Sequence, residues 1–289
     1  MRSFKTLAIL VGVLFSSSAF SASQEMTAKD GSRLVYDDVG SGTTPLVFIH
    51  CLSCNKSYWK NEIEPFSKDY RLILLDLPGH GESKPGKKIP DTVEAMAREV
   101  VAVMDHLNLK GAILVGSSMG GPIALEAARL RPKRVVGVIG VDNLHNAEGG
   151  YPKEMFVKMG EALEKDFAQG MKGMMPHLFT PKSDPKIIEW TTAEAVKADP
   201  TVVRPLFQNL ADVDLKKMMK NAKVPIRNIN ALPYQEGSPK TETAINRKYA
   251  DFDVIEMAGV GHFPMLEKPE EFNADLKTSI LSILSAKKP

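Results

Sequence analysis

The run Ile113-Leu114-Val115-Gly116-Ser117-Ser118-Met119-Gly120-Gly121-Pro122 decides how this chain folds. A short apolar, β-branched stretch ends in a Gly-x-Ser-x-Gly pentapeptide. A helical pattern, Ile123 to Leu130, follows at once. Strand before and helix after is the setting in which that pentapeptide presents a serine on a sharp turn. The turn forces Ser118 into a strained backbone conformation, and glycine at 116 and 120 spares a Cβ that would collide with the neighbouring element. The Ser118 hydroxyl is then expected at a helix N-terminus, where free N–H groups and the helix dipole favour negative charge. An oxyanion forming beside Ser118 would sit in that field. The alternative is a glycine-rich turn without chemistry.

Outward from this run, helix-type and strand-type patterns alternate. Glu25–Ala28 and Arg33–Val39 flank Lys29-Asp30-Gly31-Ser32, a hairpin signal. Leu46–His50 is a short, fully apolar strand of the kind buried on both faces of a parallel sheet. Ser57 opens a helix to about Phe66, and Arg71–Asp76 is the next strand. Asp91 and Glu94 read as a capping box for a helix reaching about Leu107. Val135–Val141 is a strand. Residues 143–222 show no clear strand and read as short helices broken at Gly149-Gly150, Gly160, Gly173, Pro176, Pro181, Pro185, Pro200 and Pro205. Met155, Met159, Met171, Met174 and Met175 crowd this segment, as gap-filling core or as a flexible apolar wall. Strands resume at Ile226–Asn230 and Asp253–Met257. Pro269 marks the start of a closing helix. The expected fold is α/β: a doubly wound, mostly parallel eight-stranded sheet with an inserted helical cap. Residues 24–142 and 223–289 form the core and 143–222 the cap or lid.

The 289 residues are 43% hydrophobic, enough for a large core, and the net charge of +2 argues against a nucleic-acid partner. Residues 1–23 read as a secretory signal peptide: Arg2 and Lys5 precede an apolar run, Thr6–Phe15, too short to span a bilayer, and small residues follow. The expectation is a periplasmic or secreted protein with no stable membrane anchor once the signal is cleaved; an uncleaved anchor is the alternative. The two cysteines, Cys51 and Cys54, follow a strand rather than open a helix, which argues against a redox Cys-x-x-Cys site, and two ligands are too few to indicate a metal. Export makes a disulfide between them possible.

Four motifs in order carry a resemblance. Val47-Phe-Ile-His-Cys51, Leu75-Asp-Leu-Pro-Gly-His-Gly-Glu-Ser83, Gly116-Ser-Ser-Met-Gly-Gly121 and Gly259-Val-Gly-His-Phe-Pro-Met-Leu-Glu267 resemble the oxyanion strand, the Asp-x-x-Gly-His-Gly-x-Ser turn, the nucleophile elbow and the histidine loop of the α/β-hydrolases, in their serine-nucleophile, esterase- and lipase-like branch. The resemblance implies Ser118 as nucleophile and His262 as its base. His80 is expected to brace its turn and His50 to shape the oxyanion loop, while His145 could line the pocket. The chain departs from the family where the acid is usually found, after Ile226–Asn230, since Ala231-Leu-Pro-Tyr-Gln-Glu236 contains no Asp. Asp142 at the end of the preceding strand keeps the order Ser, acid, His; Glu236 or no acid at all are the alternatives. Backbone N–H groups of Met119 and Leu52 are the expected oxyanion donors. Cys51 stands where the family often has glycine.

The implied activity is hydrolysis of small carboxylic esters with an apolar acyl or alcohol part, through an acyl-enzyme on Ser118 and with no cofactor or metal. Within the same fold, carbon–carbon hydrolysis, amidase or aminopeptidase chemistry and cofactor-free peroxidation are alternatives, because this fold hosts many reactions. A ligand-binding homologue without catalysis is the alternative of another class.

Overall fold

The computed structural model describes residues 22–149, 153–233, 235 and 237–286. Of the expected signal peptide, residues 1–23, all but 22 and 23 lie outside them, as does Glu236.

Eight strands form one sheet in the order β1-β2-β4-β3-β5-β6-β7-β8, with β1 at Gln24–Thr27, β2 at Arg33–Val39, β3 at Pro45–Ile49, β4 at Arg71–Leu75, β5 at Ala112–Ser117, β6 at Val135–Val141, β7 at Ile226–Ala231 and β8 at Phe252–Met257. The hairpin β1–β2 adds to β4 antiparallel, and every other pairing is parallel. Each residue of β3 and β5 is buried, which follows from the helices covering both faces. On one face α1 (Lys60–Phe66) packs against α11 (Pro269–Ser285). On the other, α2 (Val93–His106) packs against α3 (Gly120–Leu130). A parallel ladder needs such crossovers, and the doubly wound sheet is their result.

The apolar side of α2 is set by Val93, Met96, Ala97, Val100, Val103 and Met104, spaced at helical period and buried. Its cap differs from the capping box expected at Asp91. The Thr92 hydroxyl accepts from the Ala95 N–H at 3.1 Å, because a cap side chain reaches the N–H three residues on and Val93 is the first helical residue. Glu99 on this helix is 7% exposed and its Oε2 has no partner among the described residues. Burial, aided by the Asp30 carboxylate and opposed by Arg98, pushes its carboxyl up to about 7. The folded chain therefore holds a proton on Glu99 that the unfolded chain releases near its ordinary value, so this site lowers stability as pH rises toward 7 and beyond. Glu99→Gln is expected to raise the melting temperature at pH 8 and to leave it nearly unchanged at pH 4; a thermal scan at both values checks this.

Between β6 and β7 lie α4 (Lys153–Lys165), α5 (Phe167–Met174), a 3₁₀ turn at Met175–Leu178, α6 (Pro185–Ala195), α7 (Pro200–Leu210) and α8 (Leu215–Ala222). Gly160 and Pro205 lie inside α4 and α7 rather than breaking them, and Pro185 and Pro200 open their helices after Asp184 and Asp199 caps. The last helix, α8, was expected in the cap. It packs instead on α3, as the crossover from β6 to β7 requires. Met171 and Met175 are fully buried, which favours the gap-filling reading of the methionine cluster. Two short helices, α9 (Thr243–Asn246) and α10 (Pro264–Glu267), complete the chain. No helix among the described residues is long and apolar enough to cross a membrane.

Candidate active site

Ser118 takes φ +51° at the end of β5, the strained turn expected from the sequence. A Cβ on Gly116 would run into the Gly120 carbonyl, and one on Gly120 into the Ile49 carbonyl of β3. Both glycines are therefore demanded by close backbone approach. The Ser118 N–H donates to the Val141 carbonyl at 2.9 Å, which sets the turn against the end of β6. The next residue there is Asp142.

Asp142 has φ +48° and is 5% exposed. Its Oδ2 receives His262 Nδ1 at 2.5 Å across 120 residues of chain, and its Oδ1 accepts from the Ala231 N–H at 3.0 Å. Burial acts to raise the Asp142 carboxyl. The His145 and His262 rings outweigh it and hold the group well below the usual carboxylate range, so it is ionised. His262 follows β8. Its own N–H donates to the Leu178 carbonyl of the cap at 2.7 Å, and the Gly261 N–H donates to Glu267 Oε1 at 2.8 Å. The loop is thereby fixed from both sides. Ser118 and His262 are both partly exposed.

Sequence reasoning missed two features beneath this edge. Asn143 Nδ2 donates to the Gly116 and Ser118 carbonyls at 2.7 and 3.0 Å, and Asn228 and Asn230 Nδ2 donate to the Asn143 carbonyl at 2.6 and 3.0 Å. This buried amide network ties the turn at Ser118 to β7. The signal was available: two asparagines at i and i+2 in an apolar strand are polar on its buried face. The second is the position of His145, which the sequence offered only as a pocket residue: its Nε2 lies 3.5 Å from Asp142 Oδ1. Its backbone carbonyl is held by the Glu242 N–H at 2.7 Å. His145 thus faces the carboxylate.

The remaining histidines have structural surroundings. His50 Nδ1 donates to the Cys51 carbonyl at 2.7 Å, and Nε2 accepts from the Leu77 N–H at 3.0 Å. Burial, reinforced by His80, holds His50 well below its ordinary value and therefore neutral. His80 Nδ1 meets the Pro78 carbonyl at 2.9 Å, and burial lowers its ring to about 4. His106 and His177 are exposed.

Leu52 lies in the loop after β3, and Met119 directly follows Ser118. Among the described residues, neither backbone N–H donates a hydrogen bond within the protein. Around the histidine loop, Tyr58 and Phe263 of the core meet Trp190 and Phe179 of the cap, with ring centroids 4.9 to 5.6 Å apart. A separate cavity of about 610 Å³ between α2, α3, α7 and α8 is lined by charged residues, including Glu94, Arg129 and Lys217, and lies away from this edge.

Residues 44–186, which carry β3 to β6 and the Gly-x-Ser-x-Gly turn, match the family described as the alpha/beta hydrolase fold. The chain has the α/β-hydrolase fold. An esterase from the thermophile Thermogutta terrifontis superposes on this hydrolase fold with a TM-score of 0.78, at 24% identity, over 91% of this chain and 99% of that one. A dihydrolipoyllysine-residue acetyltransferase component of the acetoin cleaving system of Pseudomonas putida is 27% identical over 86% of this chain and 67% of its own length. The pimeloyl-[acyl-carrier protein] methyl ester esterase of Yersinia enterocolitica is 24% identical over 83% of this chain and 95% of its length.

Proposed function

We propose that this protein is a serine hydrolase of small carboxylic esters, with Ser118 as nucleophile, His262 as general base and Asp142 as the orienting acid. The observation that carries the reading is the 2.5 Å contact between His262 Nδ1 and an ionised Asp142, one residue from the Val141 carbonyl to which the Ser118 N–H is bonded. With Nδ1 committed to Asp142, Nε2 is the nitrogen left to take the Ser118 proton. Ser118 Oγ attacks the ester carbonyl, and the Met119 and Leu52 N–H groups receive the oxyanion. His262 then protonates the leaving alcohol. Water, deprotonated by the same ring, releases the acid from Ser118.

The Yersinia relative, a methyl ester esterase, supports the same chemistry. The aromatic surroundings of His262 favour an apolar acyl or alcohol part over a charged one. Export to a periplasm or beyond belongs to this proposal; the disulfide described below supports an oxidising compartment.

An alkyl fluorophosphonate probe tests the reading without knowledge of the substrate. The folded protein is expected to gain one adduct, mapped by peptide mass spectrometry to Ser118. The Ser118→Ala protein should gain none. Absence of an adduct on the unaltered, folded protein would leave the ligand-binding alternative standing and remove the enzyme.

A further inference from the structure

The loop from β3 to α1 carries Leu52, and its two ends are anchored differently from its middle. At the start, His50 holds the Cys51 carbonyl and the Leu77 N–H. At the far end, the Lys56 N–H donates to Asp76 Oδ1 at 2.7 Å, and Asn55 Nδ2 donates to Glu194 of the cap at 2.9 Å. Between them, Leu52 and Ser53 are bracketed by a disulfide joining Cys51 to Cys54, with Cα atoms 5.2 Å apart, and by the Cys54 N–H donating to the Cys51 carbonyl at 3.2 Å. Ser53 sits at φ +58°, a conformation that residues other than glycine keep only where their surroundings impose it.

We propose that the Cys51–Cys54 disulfide is the positioning element of the oxyanion loop, holding the Leu52 N–H toward the substrate carbonyl, and that turnover at Ser118 falls when it is opened. The inference rests on the ester-hydrolase reading above. The cross-link restrains covalently a loop whose left-handed residue, Ser53, is not a glycine. Donation to an oxyanion is sensitive to misplacement, since a donor must meet the position the oxygen reaches in the transition state.

A chemical route to the bond exists. Cys54 borders a cavity of about 320 Å³ shared with Lys56, Asp76, Glu82, Glu194 and Lys197. Both cysteines are buried, at 4% and 2% exposure, so opening the bond from that side is expected to need a small dithiol and an excursion of the loop. One thiolate attacks Cys54 Sγ and displaces Cys51 as thiolate, forming a mixed disulfide. The reagent's second thiolate then releases Cys54. The reagent leaves as a cyclic disulfide, and its two thiol protons end on the two cysteines.

The test is to reduce the full-length mature enzyme with dithiothreitol, count two thiols after denaturation, and measure p-nitrophenyl butyrate hydrolysis beside circular dichroism. The expected result is a kcat about 10- to 100-fold lower, short of the roughly 10²- to 10³-fold loss known for deleting one oxyanion donor outright, because the Leu52 N–H is misplaced rather than removed. KM should change by less than about twofold, as for an interaction made only in the transition state. Oxidised glutathione should restore kcat. Cys51→Ala/Cys54→Ala should show the same low kcat and no response to dithiothreitol. A folded, fully reduced enzyme or a folded double variant with unaltered kcat would overturn the proposal. If both lose their fold, the bond is a folding staple and the proposal is equally overturned. Fluorophosphonate labelling separates this from failure of the enzyme reading. The reduced enzyme should still label Ser118 to completion, more slowly, whereas an oxidised enzyme that never labels counts against ester hydrolysis itself.

Discussion

Ser118→Ala is expected to lower kcat for p-nitrophenyl butyrate by about 10⁶-fold, with KM changed little, the size of loss seen when a serine nucleophile is removed from an intact site. The reason is chemical rather than structural. Alanine at 118 keeps the Cβ that the φ +51° turn already accommodates, and the Ser118 N–H bond to the Val141 carbonyl is a backbone bond that the substitution leaves alone. The variant should therefore fold with unchanged stability while losing the proposed nucleophilic oxygen. Stopped-flow kinetics sharpen the test: a burst of p-nitrophenol in the unaltered enzyme, absent from the variant, reports the acyl-enzyme directly. A variant retaining more than about one part in a hundred of the original kcat, beyond the residual catalysis that oxyanion stabilisation and binding supply, would mean that another group attacks the ester.

Asp142→Asn is the second large effect, about 10⁴-fold in kcat by the precedent of losing the orienting acid in a serine protease. Asparagine fits the same space and can still accept from the Ala231 N–H. Facing His262 with its amide nitrogen, however, it donates to Nδ1 and selects the tautomer whose Nε2 already bears a proton, which is the wrong one for a base. Glu236→Gln should leave kcat unchanged, and a large loss there with none at Asp142 would reassign the acid. A stability signature accompanies the kinetic one. The Asp142 carboxyl is lower in the folded than in the unfolded chain, so its ionisation contributes stability above the ordinary carboxylate range, and that contribution is lost as pH falls through it. The Asn variant should therefore be less stable than the parent at pH 7, with the gap narrowing in acid. Thermal melts at both values measure it.

His145 adds a second ring to the same carboxylate. Its 3.5 Å separation from Asp142 Oδ1 leaves the carboxylate balanced between two histidines, with only His262 at hydrogen-bond distance. The proposed displacement of the acid from the family's usual place has a local counterpart. At the end of β7, where that acid is usually found, the chain offers the Ala231 N–H, which holds the Asp142 carboxylate arriving from β6.

The sequence by itself determined the strand–turn–helix around Ser118 and the succession of strands and helices, and it offered His262 a choice of Asp142, Glu236 or no acid. Each of these is written locally, in glycine spacing, in apolar period or in position after a strand. Only the tertiary structure decided which carboxylate meets His262, because that contact joins residues 120 apart and depends on β6 and β8 ending on the same edge. It alone joined Cys51 to Cys54, seated α8 on α3 rather than in the cap, and placed the Leu178 carbonyl on the His262 N–H. Periodicity reports which face of an element is buried, but not which distant element buries it. Choosing among several available carboxylates or packing partners requires the three-dimensional register of the sheet.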